Sequence, residues 1–267
     1  MQYYQKLKTA IEQQNSLLCV GLDPVPERLP EEVLKEKNPT LSFLLQIIES
    51  TLSSVAAFKP NFAYFESLGP KGMETLAQVI EAIPQEIVVI GDAKRGDVGH
   101  SAQMYAKAVF ETYQCDAVTV NPYQGFDAVA PFLDYQEKGT YILCLTSNPG
   151  ANDFQIPENL YLRVAEKAMQ WNTRQNCGLV VGATQAKSVE AIRHISGTMP
   201  FLIPGIGAQG GNLEKTVSSA ENGTSFPFLI NVSRDVLYVS SGADFGRKAG
   251  ERAHEIKEQI NAVRNDS

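Results

Sequence analysis

Short apolar runs alternate with stretches of helical period from one end of the chain to the other. The apolar runs predict eight strands: Leu17–Gly21, Ala56–Lys59, Ile87–Asp92, Ala117–Val120, Tyr141–Thr146, Gly178–Val181, Phe201–Pro204 and Phe228–Val232. Helical spacing falls between them, over Gly72–Ile83, Ser101–Thr112, Leu160–Asn172, Ser188–Ile195 and Asp244–Val263. Repeated βα units imply parallel strands joined by right-handed crossovers. Eight such units fit a closed (β/α)8 barrel better than an open doubly wound sheet. No linker, low-complexity tract or internal repeat interrupts the alternation, which predicts one barrel domain over residues 1–267. The segment Pro24–Thr40 is long for a βα connection and is expected to hold a short extra helix.

Polar residues then sort by position. Asp23, Lys59, Asp92, Lys94, Ser147, Gly207 and Arg234 all fall at or just after the carboxyl end of a predicted strand. In a barrel those ends share one rim, where residues distant in sequence meet and chemistry is done. The densest group is Asp92-Ala93-Lys94-Arg95-Gly96-Asp97, which follows the apolar run Ile87–Ile90 and Gly91. On a regular strand Asp92 and Lys94 would point to one face, whereas Asp97 lies past Gly96 and need not. Lys59 ends another buried run, and Asp92 is its candidate partner across the barrel. The cluster reads either as a structural ion-pair network or as a catalytic array. Nearby carboxylates favour a charged Lys94, whereas a Schiff-base lysine needs a neutral amine. Lys94 is therefore expected to donate a proton and not to act as a nucleophile. Together Lys59, Asp92, Lys94 and Asp97 sum to zero charge, a polarised arrangement suited to negative charge building on carbon.

Composition narrows the partners. With 43% hydrophobic and 20% charged residues the chain is ordinary globular material. Its formal net charge of -7 does not attract nucleic acid or an anionic membrane, so any anionic ligand needs a local cationic site. The opening Met1-Gln2-Tyr3-Tyr4-Gln5-Lys6 lacks an apolar signal core, which makes a cytoplasmic location the expectation. Cys19, Cys115, Cys144 and Cys177 lie in or beside predicted strands without CxxC spacing and are expected to be buried thiols. His100, His194 and His254 have no metal-ligand spacing, so no metal is expected.

The local cationic site is expected after the last two strands. Pro204-Gly205-Ile206-Gly207-Ala208-Gln209-Gly210-Gly211 follows the seventh, and Asn231-Val232-Ser233-Arg234 ends the eighth. Barrels commonly hold phosphate between these loops, with glycines admitting backbone N–H groups and arginine gripping oxygens. Neither a P-loop nor a dinucleotide fingerprint is present. Gly21-Leu22-Asp23-Pro24 reads as a turn or as an acceptor for a ribose hydroxyl. Thr146-Ser147-Asn148-Pro149-Gly150 reads as a loop or as a reader of the polar edge of a flat base. The lone Trp171 reads as packing.

These pieces, with Phe58-Lys59-Pro60-Asn61 and the run from Asp92 to Gly99, resemble the orotidine 5'-phosphate decarboxylase family in its order and over nearly the whole chain. The Asn-Pro-Gly after Ser147 and the long first loop resemble its longer bacterial subgroup. The resemblance implies a TIM barrel and cofactor-independent decarboxylation of orotidine 5'-phosphate to UMP and carbon dioxide, in pyrimidine biosynthesis. Lys94 then resembles the acid that protonates ring carbon 6, and Asp92 the carboxylate set against the substrate's own. Asp97 would complete the array from the neighbouring subunit of a homodimer. Ser101, where the family often has threonine, would touch ribose across the same interface. Lys59 and Asp23 resemble ribose contacts, Ser147 the pyrimidine contact, and Gly207, Gln209, Ser233 and Arg234 the phosphate grip. No metal or cofactor is implied. Two rivals are a magnesium-dependent sugar-phosphate decarboxylase or aldolase of the same superfamily, and a non-catalytic nucleotide-phosphate sensor. The first would need a further acid near the cluster, and the position after the second strand is Lys59.

Overall fold

Eight parallel strands close in sequence order into a barrel in the computed structural model, which describes residues 2–183, 186–206, 212–221 and 227–265. The strands are β1 Leu18–Leu22, β2 Ala57–Pro60, β3 Val88–Arg95, β4 Ala117–Val120, β5 Gly139–Leu145, β6 Cys177–Val181, β7 Phe201–Pro204 and β8 Phe228–Val232. The helices are α1 Tyr3–Gln14, α2 Pro39–Thr51, α3 Phe62–Glu66, α4 Gly69–Glu81, α5 Gly99–Lys107, α6 Phe126–Leu133, α7 Ala151–Phe154, α8 Leu160–Trp171, α9 Ala186–Ser196, α10 Leu213–Glu221, α11 Arg234–Leu237 and α12 Phe245–Asn265. All eight expected strands form. β1, β2, β4, β6, β7 and β8 are buried along their whole length or nearly so, which is why they read as continuous apolar runs.

Three differences have local causes. β3 runs on to Arg95 because its end bulges: Gly91 pairs with Val118, and the next pair is Arg95 with Val120. The helix expected over Ser101–Thr112 is α5 followed by a wider π turn at Ala108–Thr112. The extra helix expected in Pro24–Thr40 takes the form of two 3₁₀ turns, Pro26–Arg28 and Val33–Lys35.

The floor of the barrel is filled from outside its own strands. Tyr3, buried at the start of α1, donates its hydroxyl to the Tyr141 hydroxyl at 2.9 Å. A Cβ at Gly139 would come within 2.5 Å of the Tyr3 ring, so glycine there admits the plug. At the opposite rim the register aligns the polar strand ends: Gly21 faces Lys59, and Pro204 faces Asn231. Among the described residues no helix is long and apolar enough to cross a membrane.

Candidate active site

The centre of the rim is built from three neighbouring strands. Lys59 at the end of β2 donates to Asp92 Oδ2 at 2.6 Å, and Lys94 Nζ donates to Asp92 Oδ1 at 2.6 Å. The Lys59 and Asp92 side chains are buried, while that of Lys94 is 50% exposed and so can reach a bound molecule. Burial alone would raise the Asp92 carboxyl, but the Lys59 and Lys94 ammoniums outweigh it and hold it well below the usual carboxylate range. For Lys59 burial pulls down, and Asp92 and Asp23 more than offset it, holding the amine above its ordinary value. The centre is thus an ionised carboxylate between two cations.

β4 supplies a residue that sequence reasoning did not single out. The Thr119 hydroxyl donates to Asp92 Oδ1 at 2.9 Å and accepts the Lys94 backbone N–H at 2.9 Å. Its signal was present in the sequence: Thr119 is the one polar side chain in the buried strand Ala117-Val118-Thr119-Val120, and a buried hydroxyl needs partners. The contact between Lys94 and Asp92 also arises otherwise than by strand alternation. Lys94 has φ +46°, a left-handed conformation inside the β3 bulge, and that turn brings its side chain back to Asp92.

Two cavities meet at Lys59, Asp92 and Pro204. The smaller, about 260 Å³, is lined by Lys94, Thr119 and Ser147 on its polar side and by Leu143, Val180 and Leu202 on its apolar side. The larger, about 400 Å³, extends past Asp23, Asn61 and Tyr64 to Ser233 and Arg234. Asp23 Oδ1 is buried in the structure without a hydrogen-bond partner. Arg234 is exposed and makes no ion pair among the described residues. Behind Ser147, the Gln155 side chain accepts the Thr146 backbone N–H at 2.7 Å and donates to the Thr146 hydroxyl at 2.9 Å, which fixes the loop after β5.

The remaining expected residues divide into two groups. Gly207 and Gln209 lie outside the described residues. Asp97 and Ser101 line neither cavity; Asp97 accepts the Val98 backbone N–H at 2.8 Å, and Ser101 is exposed on α5. The four cysteines are buried free thiols, and burial pushes Cys19, Cys115 and Cys144 up to about 12. Trp171 packs against the core with its ring 5.6 Å from that of Phe126. Among the described residues no three His, Cys, Asp or Glu side chains are grouped so as to hold a metal ion.

A family model described as Orotidine 5'-phosphate decarboxylase / HUMPS family matches residues 16–244. The chain belongs to this family. Within the orotidine 5'-phosphate decarboxylase / HUMPS family, a relative from Dehalococcoides mccartyi named orotidine 5'-phosphate decarboxylase is 44% identical over 272 aligned residues, covering 99% of each chain. A relative of the same name from Ralstonia nicotianae is 46% identical, covering 99% of this chain and all of the other. Among solved structures, a putative orotidine-monophosphate-decarboxylase from Toxoplasma gondii superposes with a TM-score of 0.89 at 34% identity, covering 99% of this chain and 98% of that one. An OMP decarboxylase from Leishmania donovani gives 0.84 at 37% identity, covering 99% of both chains. The family's barrel and the closed barrel of this chain are therefore one fold.

Proposed function

We infer that the chain is a carboxy-lyase that converts orotidine 5'-phosphate to UMP and carbon dioxide, carried by the whole chain as a single barrel domain and needing no metal or organic cofactor. The observation that carries this reading is the Lys59–Asp92–Lys94 array at the junction of the two cavities. The smaller cavity suits a flat pyrimidine with one polar edge, read by Ser147. The orphaned Asp23 Oδ1 and the Lys59 ammonium suit ribose hydroxyls, since a buried acceptor without a protein partner needs a donor. The Ser233 hydroxyl and Arg234 guanidinium, with Gly207 and Gln209, suit the phosphate.

In the reaction the substrate carboxylate lies against Asp92. The bond from carbon 6 to the carboxylate breaks and leaves its electron pair on carbon 6. That pair takes a proton from Lys94 Nζ, and the lysine regains one from water. Repulsion between two carboxylates about 4 Å apart amounts to about 4 kcal/mol at an effective dielectric of about 20. Its relief supplies about three decades of rate, whereas large enzymatic accelerations need about 8–23 kcal/mol. Stabilisation of the carbanion by the Lys94 cation, and remote binding of the phosphate, supply the remainder.

A homodimer is part of this proposal. Asp97 and Ser101 border the exposed side chains Val98, Met104 and Tyr105, and from this face both would reach the neighbouring subunit's site. The cytoplasm is the proposed location, since four buried thiols suit a reducing compartment. Incubating the protein with orotidine 5'-phosphate and following its absorbance, with and without EDTA, tests the reading. The expected result is equal turnover in both. Turnover lost to the chelator would transfer the chain to the magnesium-dependent members of the superfamily. Binding of UMP without consumption of orotidine 5'-phosphate would make it a sensor.

A further inference from the structure

Thr119 closes a ring through the charged array. Its hydroxyl has one proton to give and can accept besides. The proton goes to Asp92 Oδ1, and the oxygen accepts the Lys94 backbone N–H, each at 2.9 Å. Asp92 Oδ1 in turn accepts the Lys94 ammonium at 2.6 Å. Lys94 is therefore tied at both ends, its backbone to Thr119 and its ammonium to Asp92, and the two anchors are bonded to each other. The residue so held is in a left-handed conformation that L side chains adopt at a cost of about 1–2 kcal/mol. It also lies within the bulge, where the regular β3–β4 ladder between Gly91 and Arg95 is interrupted. Ladder bonds do not fix the chain at this point; the Thr119 hydroxyl does.

We propose that Thr119 is a positioning residue of the decarboxylation: it holds the left-handed turn at Lys94 and orients Asp92, which together aim the ammonium into the smaller cavity. Thr119 lines that cavity together with Lys94 and is almost fully buried, so it acts through the two charged residues. The inference rests on the reading of Lys94 as the proton donor. Without the hydroxyl, Asp92 Oδ1 loses one of its two donors, and the Lys94 N–H loses its acceptor. Lys94 is then free to leave its left-handed turn, and the position of its ammonium against Asp92 and the smaller cavity is no longer fixed.

The test compares Thr119→Val, which keeps the shape and removes the hydroxyl, with Thr119→Ser, which keeps the hydroxyl, and with Lys94→Ala. Steady-state kinetics on orotidine 5'-phosphate and UMP affinity by calorimetry are the readouts. A lost hydrogen bond to a charged group predicts that Thr119→Val lowers kcat about 10- to 100-fold. KM and UMP affinity are expected to stay within about threefold of the parent, because Thr119 lies outside the ribose and phosphate contacts. Thr119→Ser is expected to restore kcat to within about threefold. Should Thr119→Val fail to bind UMP, Thr119→Ala carries the same expectation with less crowding. Parental kcat in the valine or alanine variant, or no recovery with serine, would overturn the proposal while an inactive Lys94→Ala left the proton-donor reading standing. Turnover by Lys94→Ala would instead sink that underlying reading.

Discussion

Asp92 is stable as a buried anion only because two ammoniums and a hydroxyl converge on it. Its depressed pKa carries a sign. The stabilisation is fully present above the ordinary aspartate value near 4 and drains away as pH falls below it toward the lowered folded value. Lys59, held above its ordinary value, gives stability that is full below about pH 10.4 and fades as pH rises through its folded value. Removing the carboxylate leaves Lys59 buried and unpaired. Asp92→Ala is accordingly expected to lose about 3–5 kcal/mol in urea unfolding at pH 7. Its acid limb below about pH 4 should also be shallower than that of the parent. A variant as stable as the parent, with the same acid limb, would contradict this. At this scale the sequence pointed to Lys59 and Lys94 as partners of Asp92, because ionic groups at the ends of apolar strands need partners. The route by which Lys94 reaches Asp92 was hidden, since a left-handed lysine leaves no mark in a pattern of period two.

Strands were the most legible elements. β4, β7 and β8 have the bounds that their apolar runs predict, because burial on both faces leaves little room for polar residues. The bulge of β3 and the 3₁₀ turns of the first loop were beyond reach, as elements of three residues have no periodicity to detect. Contact between elements also explains Gly21 in the first loop motif. A Cβ there would come 2.0 Å from Ser233 Oγ and 3.1 Å from its Cβ, so glycine at the β1 end leaves room for the Ser233 side chain in its present position. Gly21→Ala is expected to fold with its barrel intact, since a side-chain hydroxyl can swing away. The displaced Ser233 would then weaken the proposed phosphate grip and raise KM several-fold while kcat changes less. Unchanged KM in a folded Gly21→Ala protein would place the phosphate elsewhere.

For the whole molecule the alternation of elements announced the closed barrel, and the barrel brought residues from Asp23 to Arg234 to one rim. Asp97 and Ser101 line neither of the two cavities of their own rim, and the proposed dimer gives them a site in the neighbouring subunit. The proposed dimer makes a quantitative prediction. Lys94→Ala and Asp97→Ala proteins, each inactive or nearly so, are dissociated, mixed in equal amounts and reassociated. In an isologous dimer half the molecules are hybrids, each with one site bearing both native residues, so about a quarter of parental activity should return. Activity no greater than the mean of the two separate proteins would mean that each site is complete within its own chain.

Tyr3 and Tyr141 have a consequence for traffic. Among the described residues a pair of hydrogen-bonded phenols fills the bottom of the barrel, at the end away from the rim that carries the two cavities. On the proposed reading, released gas, spent nucleotide and the water that recharges the lysine would all use the rim by which the reactant entered. Anything that covered that rim would then govern departure as well as arrival.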